Sequence, residues 1–248
     1  MTALPRRALA ATFLRSFAIQ GSWNYRTLVG CGFAFALMPL LRTIYSGRPD
    51  EYQAAVQRHS AVFNSHPYFA PMALGAVAVL ESTESPEVVE RFKSAVRGSL
   101  GSLGDRLIWA GFRPVCVLLA LTAVMLGAGW FLVSAGFLIV YNVGHIGTRM
   151  WAMRFGLRHG KRLGERLRSV PVDRVQWIMQ SMGAFLLGTC LILLIGGRPL
   201  SQETSLPWAA TAGVAAGIGM HFGARTRMPV VLAISAATLL GLLVGVIA

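Results

Sequence analysis

The chain has 248 residues, of which 54% are hydrophobic and only 13% charged, with 23 Lys and Arg against 10 Asp and Glu. A soluble domain carries roughly 25% charged residues, so about half of the usual solvating surface is missing. The mean hydropathy of +0.57 agrees, and the uncharged stretches Trp177–Gly196 and Pro229–Ala248 each reach the roughly 20 residues that cross a hydrocarbon core. These features exclude an ordinary soluble protein. The net charge of +13 sits between apolar segments, as in the cytoplasmic loops of membrane proteins. It does not form the polar and aromatic face that nucleic-acid binding requires. Cys31, Cys116 and Cys190 lie far apart in apolar runs, which excludes a disulfide framework and a cysteine metal site.

In chain order, Arg6 and Arg7 precede no clean apolar core with a cleavage site, and Arg15 interrupts the run, so no signal peptide is expected. Ser22 before Trp23 is placed as a helix cap. Leu28–Leu41, with Pro39 near its end, is too short to cross at about 14 residues and suits an interfacial or re-entrant helix. Asp50–His59 is polar and helix-compatible. Ala61–Leu80 is long enough to cross, but Asn64, Ser65, His66, Pro67 and Pro71 break its first half. Backbone that irregular persists at membrane depth only when protein covers it or it lines a wet cavity. Glu81–Arg97 reads as solvated. Pro114–Gly144 is apolar for about 31 residues, which fits one tilted helix or a hairpin of two. The hairpin is favoured because it keeps Arg113 on the side of the basic N-terminal region.

Arg149–Arg174 reads as a basic polar loop, followed by Trp177–Gly196, Pro207–Phe222, a turn with Arg225 and Arg227, and Pro229–Ala248. The arginine asymmetry places 149–174 and 225–227 in the cytoplasm, and 197–206 and Ala248 outside. The expected fold is an all-α integral membrane protein of about five transmembrane helices, preceded by interfacial or re-entrant helices. It reads as a single membrane domain, with cytoplasmic or interfacial helices over 1–60, a broken or re-entrant segment over 61–112, and transmembrane helices over 113–248.

No HExxH, GxSxG or GxxxxGK[ST] pattern is present. The run Gly98-Ser-Leu-Gly101-Ser-Leu-Gly104-Asp105 lacks the lysine and hydroxyl of a phosphate loop, and its glycines suit close packing or a tight turn. Asp105, Trp109 and Arg113 are spaced by four and share a helical face. Two readings stand for them. Asp105 is an N-cap, Trp109 an interfacial anchor and Arg113 a cytoplasmic marker; or the carboxylate accepts bonds from neighbouring sugar hydroxyls and the indole stacks on a pyranose. Asn64 and His66, followed by Tyr68 and Phe69, make either a turn or part of a polar pathway. Glu81 is either a surface residue or faces the same cavity. Asn142, His145 and Arg149 recur at helical spacing, as a headgroup-level cluster or as pathway residues.

Gln20-Gly-Ser-Trp-Asn-Tyr25, Phe63-Asn-Ser-His-Pro-Tyr-Phe69, Gly104-Asp105 with Trp109 and Arg113-Pro114, and Tyr141-Asn142 with Thr148-Arg149 follow one another in order. Together they resemble the IID family of mannose/fructose/sorbose-class phosphotransferase-system sugar permeases, from about Phe17 to Gly160. The resemblance implies a multi-pass subunit of the bacterial cytoplasmic (inner) membrane that pairs with a IIC subunit in an oligomeric complex. A hexose crossing that complex is phosphorylated by a soluble IIB protein, itself charged by IIA. The IID chain is then no enzyme, with no catalytic residue, cofactor or metal. Substrate contacts are expected from Asn64, His66, Glu81, Asp105, Trp109 and Asn142, with Arg113 and Arg149 structural or at the membrane edge. Arg26, Ser82 and Arg106 depart from the family pattern and keep open a non-transporting membrane scaffold or regulator derived from it. A membrane-embedded enzyme using Asp105, Glu81 and His66 as acid–base groups is a third reading.

Overall fold

The computed structural model describes residues 4–195. The expected spans Pro207–Phe222 and Pro229–Ala248, the segment 197–206 and the turn at 225–227 lie outside the described residues. The described elements are helices, and the all-α expectation holds for them. Two isolated bridges, Asn24–Leu28 and Leu28–Phe63, lie between the helices.

The described chain divides into two compact units, one of residues up to 105 with 144–171, the other of 106–143 with the residues from 172 onward. In the first, α1 (Arg6–Arg15) runs through a short 3-10 turn into a loop. Ser22 caps no helix there. Asn24 organises the loop instead, its Oδ1 accepting from the Arg26 and Thr27 amides and its Nδ2 donating to Thr27 Oγ1. An asparagine that bonds its own downstream backbone competes with helix formation.

Helix α2 (Gly30–Ile44) buries Phe33, Leu37, Leu40 and Leu41. Helix α3 (Pro49–Ser60) begins on a proline followed by Asp50 and Glu51 and ends on Arg58 and His59, a charge order that suits the helix dipole. Helix α4 (Ala70–Glu81) starts after the Asn64–Pro67 break and is buried along almost its whole length. Its twelve residues are too few to span a bilayer.

Helix α5 (Pro86–Gly104) corrects the solvated reading of Glu81–Arg97. Val89, Lys93, Val96 and Leu100 form a buried face, at the spacing of an amphipathic helix. Lys93 is tolerated inside because its Nζ donates to the Arg58 and His59 carbonyls, 3.1 and 3.3 Å away, and lies 5.3 Å from the Phe33 ring centroid. From Asp105 to Phe112 the chain continues as a π-helical segment, which leads into α6 (Arg113–Met125) of the second unit. There α6 packs against α9 (Val172–Ile195), and Thr122 Oγ1 and Cys190 Sγ meet at 3.2 Å across the contact.

The chain reverses at Leu126–Gly129, with Gly127 at φ +81°. The 114–144 stretch is therefore broken into two helices, as the hairpin reading has it. Val117, Leu121, Val124, Phe131, Leu138 and Ile139 are exposed, an apolar exterior that suits lipid and not water. The second arm, α7 (Trp130–His159), continues far beyond the hairpin, and a 3-10 turn and α8 (Leu163–Leu167) follow it. The loop expected over 149–174 is thus mostly helical. Ala152, Met153, Gly156 and Leu163 are buried between the arginines, so the basic stretch carries an apolar helical stripe. A Cβ on Gly156 would overlap the Met72 carbonyl, and only glycine lets α7 lie this close to α4. Pro86–Met125 and Trp130–Leu167 are each long and apolar enough to cross a membrane, with mean hydropathies of 1.9 and 1.4.

Candidate functional site

The four sequence motifs are far apart in the chain; parts of the last three meet inside the first unit, and the loop that follows the first packs beside them. The loop after Tyr25 pairs with the broken segment: Val29 N–H donates to the Phe63 carbonyl and Phe63 N–H to the Thr27 carbonyl. Phe63 then packs on Phe33 with ring centroids 4.5 Å apart. This anchors the start of Asn64-Ser65-His66-Pro67, and the other end is fixed by α5. A Cβ on Gly104 would collide with Cβ and Cγ of His66, and the Asn64 amide lies near Gly101 one turn earlier. The glycines read as packing residues therefore form the shelf on which Asn64 and His66 rest.

His66 is buried, and its Nδ1 accepts the Tyr68 amide hydrogen at 3.2 Å. The neutral ring therefore carries its proton on Nε2, as a donor. Asn64 is exposed, and so is Asp105, the residue after the shelf glycine. Asp105 has φ −60° and ψ −44°, and helix continues through it without a break, so it caps no helix. It opens the eight-residue π-helical segment. Such segments are rare and recur at functional sites. The exposed Asp105 carboxylate and Asn64 amide thus stand beside the buried His66 ring at the C-terminal end of α5. That is the mixture of groups that hydrogen-bonds a polyol.

Behind them stands Arg149, buried at 3% exposure. Its Nη1 donates to the Ser16 carbonyl at 2.8 Å and its Nε to His145 Nε2 at 2.7 Å. His145 stacks on Tyr68, with centroids 4.1 Å apart and planes 14° from parallel. The guanidinium also lies 4.6 Å from the Phe17 centroid. Arg149 thereby ties the N-terminal segment, the Tyr68 loop and α7 together.

Glu81 stands elsewhere in this unit. Its side chain is 1% exposed, and both oxygens are engaged. Oε1 accepts from Arg58 Nη2 at 2.8 Å and His59 Nε2 at 2.7 Å; Oε2 accepts from the Tyr45 hydroxyl at 2.5 Å and Arg58 at 3.0 Å. Burial alone would raise its pKa, but hydrogen bonds from His59, Tyr45 and Arg58 outweigh that and hold it at about 2. Burial pushes His59 down to about 4, so the neutral ring donates through Nε2. Burial and the neighbouring carboxylate push Tyr45 up to about 12. The carboxylate joins α3, α4 and the end of α2.

The remaining expected residues belong to the second unit. Trp109 is 53% exposed and carries Arg113 over its ring at 4.9 Å. Arg106 binds Asp173 at 2.6 Å and Gln176 at 2.7 Å. Asn142 is exposed, its amide donating to the Leu138 carbonyl at 2.8 Å. Among the described residues no group of three or more His, Cys, Asp and Glu is placed to hold a metal ion. Tyr45, Arg58, His59 and Lys93 around Glu81, and Ser16 and Tyr68 around Arg149, carry no local sequence signature of these contacts. Only the position of Tyr68 directly after His66-Pro67 hints at one.

Residues 3–195 match the PTS system mannose/fructose/sorbose family IID component. The chain belongs to the IID family. This IID chain is 29% identical over 163 residues to the mannose-specific EIID component of Escherichia coli (strain K12), covering 63% of its own length and 57% of the relative's. It is 25% identical over 211 residues to the fructose permease IID component of Bacillus subtilis (strain 168), covering 82% of this chain and 72% of the other. The match therefore spans less than two-thirds of the Escherichia coli relative. Its fold is similar to a chain in the cryoEM structure of the mannose transporter ManYZ with microcin E492, at a TM-score of 0.59 and 21% identity, covering 98% of this chain and 96% of that one. A family of phosphotransferase-system components and two long apolar helices make the IID chain a membrane protein.

Proposed function

We propose that the chain is the IID subunit of a sugar permease, acting with a IIC membrane subunit to pass a hexose that soluble IIB and IIA proteins phosphorylate during uptake. The meeting of the family motifs at Asn64, His66 and Asp105 carries this reading. The sugar-facing groups are the exposed Asp105 carboxylate and Asn64 amide, which the buried His66 and its glycine shelf position. Each bond to the charged carboxylate contributes about 1.5–3 kcal/mol and each neutral one about 1 kcal/mol. Glu81 and Arg149 act by holding the helices, and Trp109 and Asn142 are not needed for the assignment. On this reading the chain is a multi-pass protein of the bacterial inner membrane with about five spans.

A strain lacking only this gene tests the proposal. Uptake and phosphorylation of labelled hexoses should fall for at least one sugar and return when the intact gene is restored. Unchanged uptake of every hexose transported by the parent would leave a non-transporting role as the better account.

A further inference from the structure

A second site lies on the C-terminal half of α7, within the first unit. Trp151, Phe155 and His159 follow one another at intervals of four, and their rings pack in a row with centroids 5.2 and 4.4 Å apart. Beside the row stand Arg154 and Arg158, also four residues apart and both exposed. Among the described residues neither arginine side chain forms an ion pair or hydrogen bond. Gly147, Met150, Trp151, Arg154, Phe155, Arg158 and His159 together line a surface cavity of about 400 Å³.

The helix changes character along its length. Ile146 and Met150 are exposed apolar residues, at 41% and 37%, and Gly147 faces open space. Trp151 follows at 39% exposure, and the arginines come last. Apolar residues, then an aromatic belt, then arginine is the order in which a helix leaves a bilayer. The helix dipole favours cations in the last turn, which accounts for Arg158. It does not account for the ring row, the open groove at Gly147 or the position of Arg154.

We propose that this groove is a binding site for an anionic phospholipid of the adjoining leaflet. The phosphate accepts hydrogen bonds from Arg154 and Arg158, which share a helix face. The glycerol backbone lies against Trp151 and Phe155, and an acyl chain runs along Met150, Gly147 and Ile146. The net charge of +13 adds long-range attraction to an acidic membrane. A lipid fits better than a free phosphate, because the arginines adjoin an apolar trough that a soluble anion would leave empty. The site is independent of the sugar reading.

The test uses the full chain purified in mild detergent and titrated with phosphatidylglycerol, phosphatidylcholine or glycerol 3-phosphate, with bound mass read by native mass spectrometry. Phosphatidylglycerol should bind in preference to phosphatidylcholine, and glycerol 3-phosphate should not displace it. Arg154→Gln and Arg158→Gln should each weaken phosphatidylglycerol binding about fivefold, and both together about twenty-five-fold. Both side chains are exposed, so the melting temperature should hold. If the double variant unfolds, the Arg154→Lys/Arg158→Lys pair, which keeps the charge, should bind the lipid, and failure to do so overturns the site. Equal binding of the two lipids, or unchanged binding by the double glutamine variant, also overturns it. Displacement by glycerol 3-phosphate would overturn the lipid assignment in favour of a soluble-phosphate site.

Discussion

Replacing Glu81 with glutamine separates a residue that holds helices from one that touches sugar. The carboxylate is 1% exposed and its main counter-charge, Arg58, is 13% exposed. Glutamine keeps the shape and one acceptor oxygen. The other oxygen becomes an NH2 group facing donors from Arg58, His59 or Tyr45, and Arg58 loses its negative partner. Removing one member of a buried ion pair costs about 3–5 kcal/mol. At about 2–4 °C per kcal/mol for a chain of this size, the melting temperature should fall by roughly 6–20 °C. Thermal unfolding of the detergent-solubilised protein measures that, and labelled-sugar uptake at matched membrane abundance measures binding. Half-saturation should stay unchanged. A melting temperature within about 2 °C of the parent, together with a roughly tenfold rise in half-saturation, would refute the reasoning and return Glu81 to the sugar.

Stability should also fall on acidification. Glu81 has a folded pKa of about 2, below its ordinary value, so its contribution is present above the ordinary carboxylate range and lost as pH falls toward 2. His59, at about 4 when folded, takes up its proton more readily when unfolded, so stability is lost between about pH 6.5 and 4. Melting temperatures recorded from pH 7.5 to 4.5 should decline, and His59→Gln should flatten the decline; a flat parent profile would contradict it. Gly104→Ala should cost about 1–3 kcal/mol, because the added methyl displaces His66 from its shelf; full stability with normal uptake would remove the shelf from the account. Ser169→Cys, in a chain freed of Cys31, Cys116 and Cys190, should resist an impermeant thiol reagent applied outside the cell, since the basic 149–174 stretch is assigned to the cytoplasm. Labelling from outside would invert that arrangement.

The broken segment, the short α2 and the 114–144 hairpin were legible because prolines, run lengths and glycines act locally. Asp105 as a cap was misleading for a local reason too: Gly104-Asp105 looks like a helix start, but His66 needs the glycine where helix simply continues. The charged stretches misled most. Lys93 and Arg149 suggest water, and only contacts from distant residues, such as the Arg58 and His59 carbonyls or Ser16, show that these charges are buried. The same limit applies to Glu81, whose partners come from α3 and the end of α2. The motif residues Asn64, His66 and Asp105 could be named from sequence as candidates. Their proximity depends on two glycines one turn apart on α5, a packing relation that a linear pattern does not state.

The most direct test of the sugar site is Asp105→Asn. Helix runs through the position, so the substitution removes no cap, and the exposed side chain leaves the fold intact. Loss of a charge-assisted bond costs about 1.5–3 kcal/mol, and half-saturation for labelled-sugar uptake should rise roughly tenfold to a hundredfold at unchanged membrane abundance. Unchanged half-saturation at normal abundance would contradict a sugar-binding role for Asp105 and the site built around it.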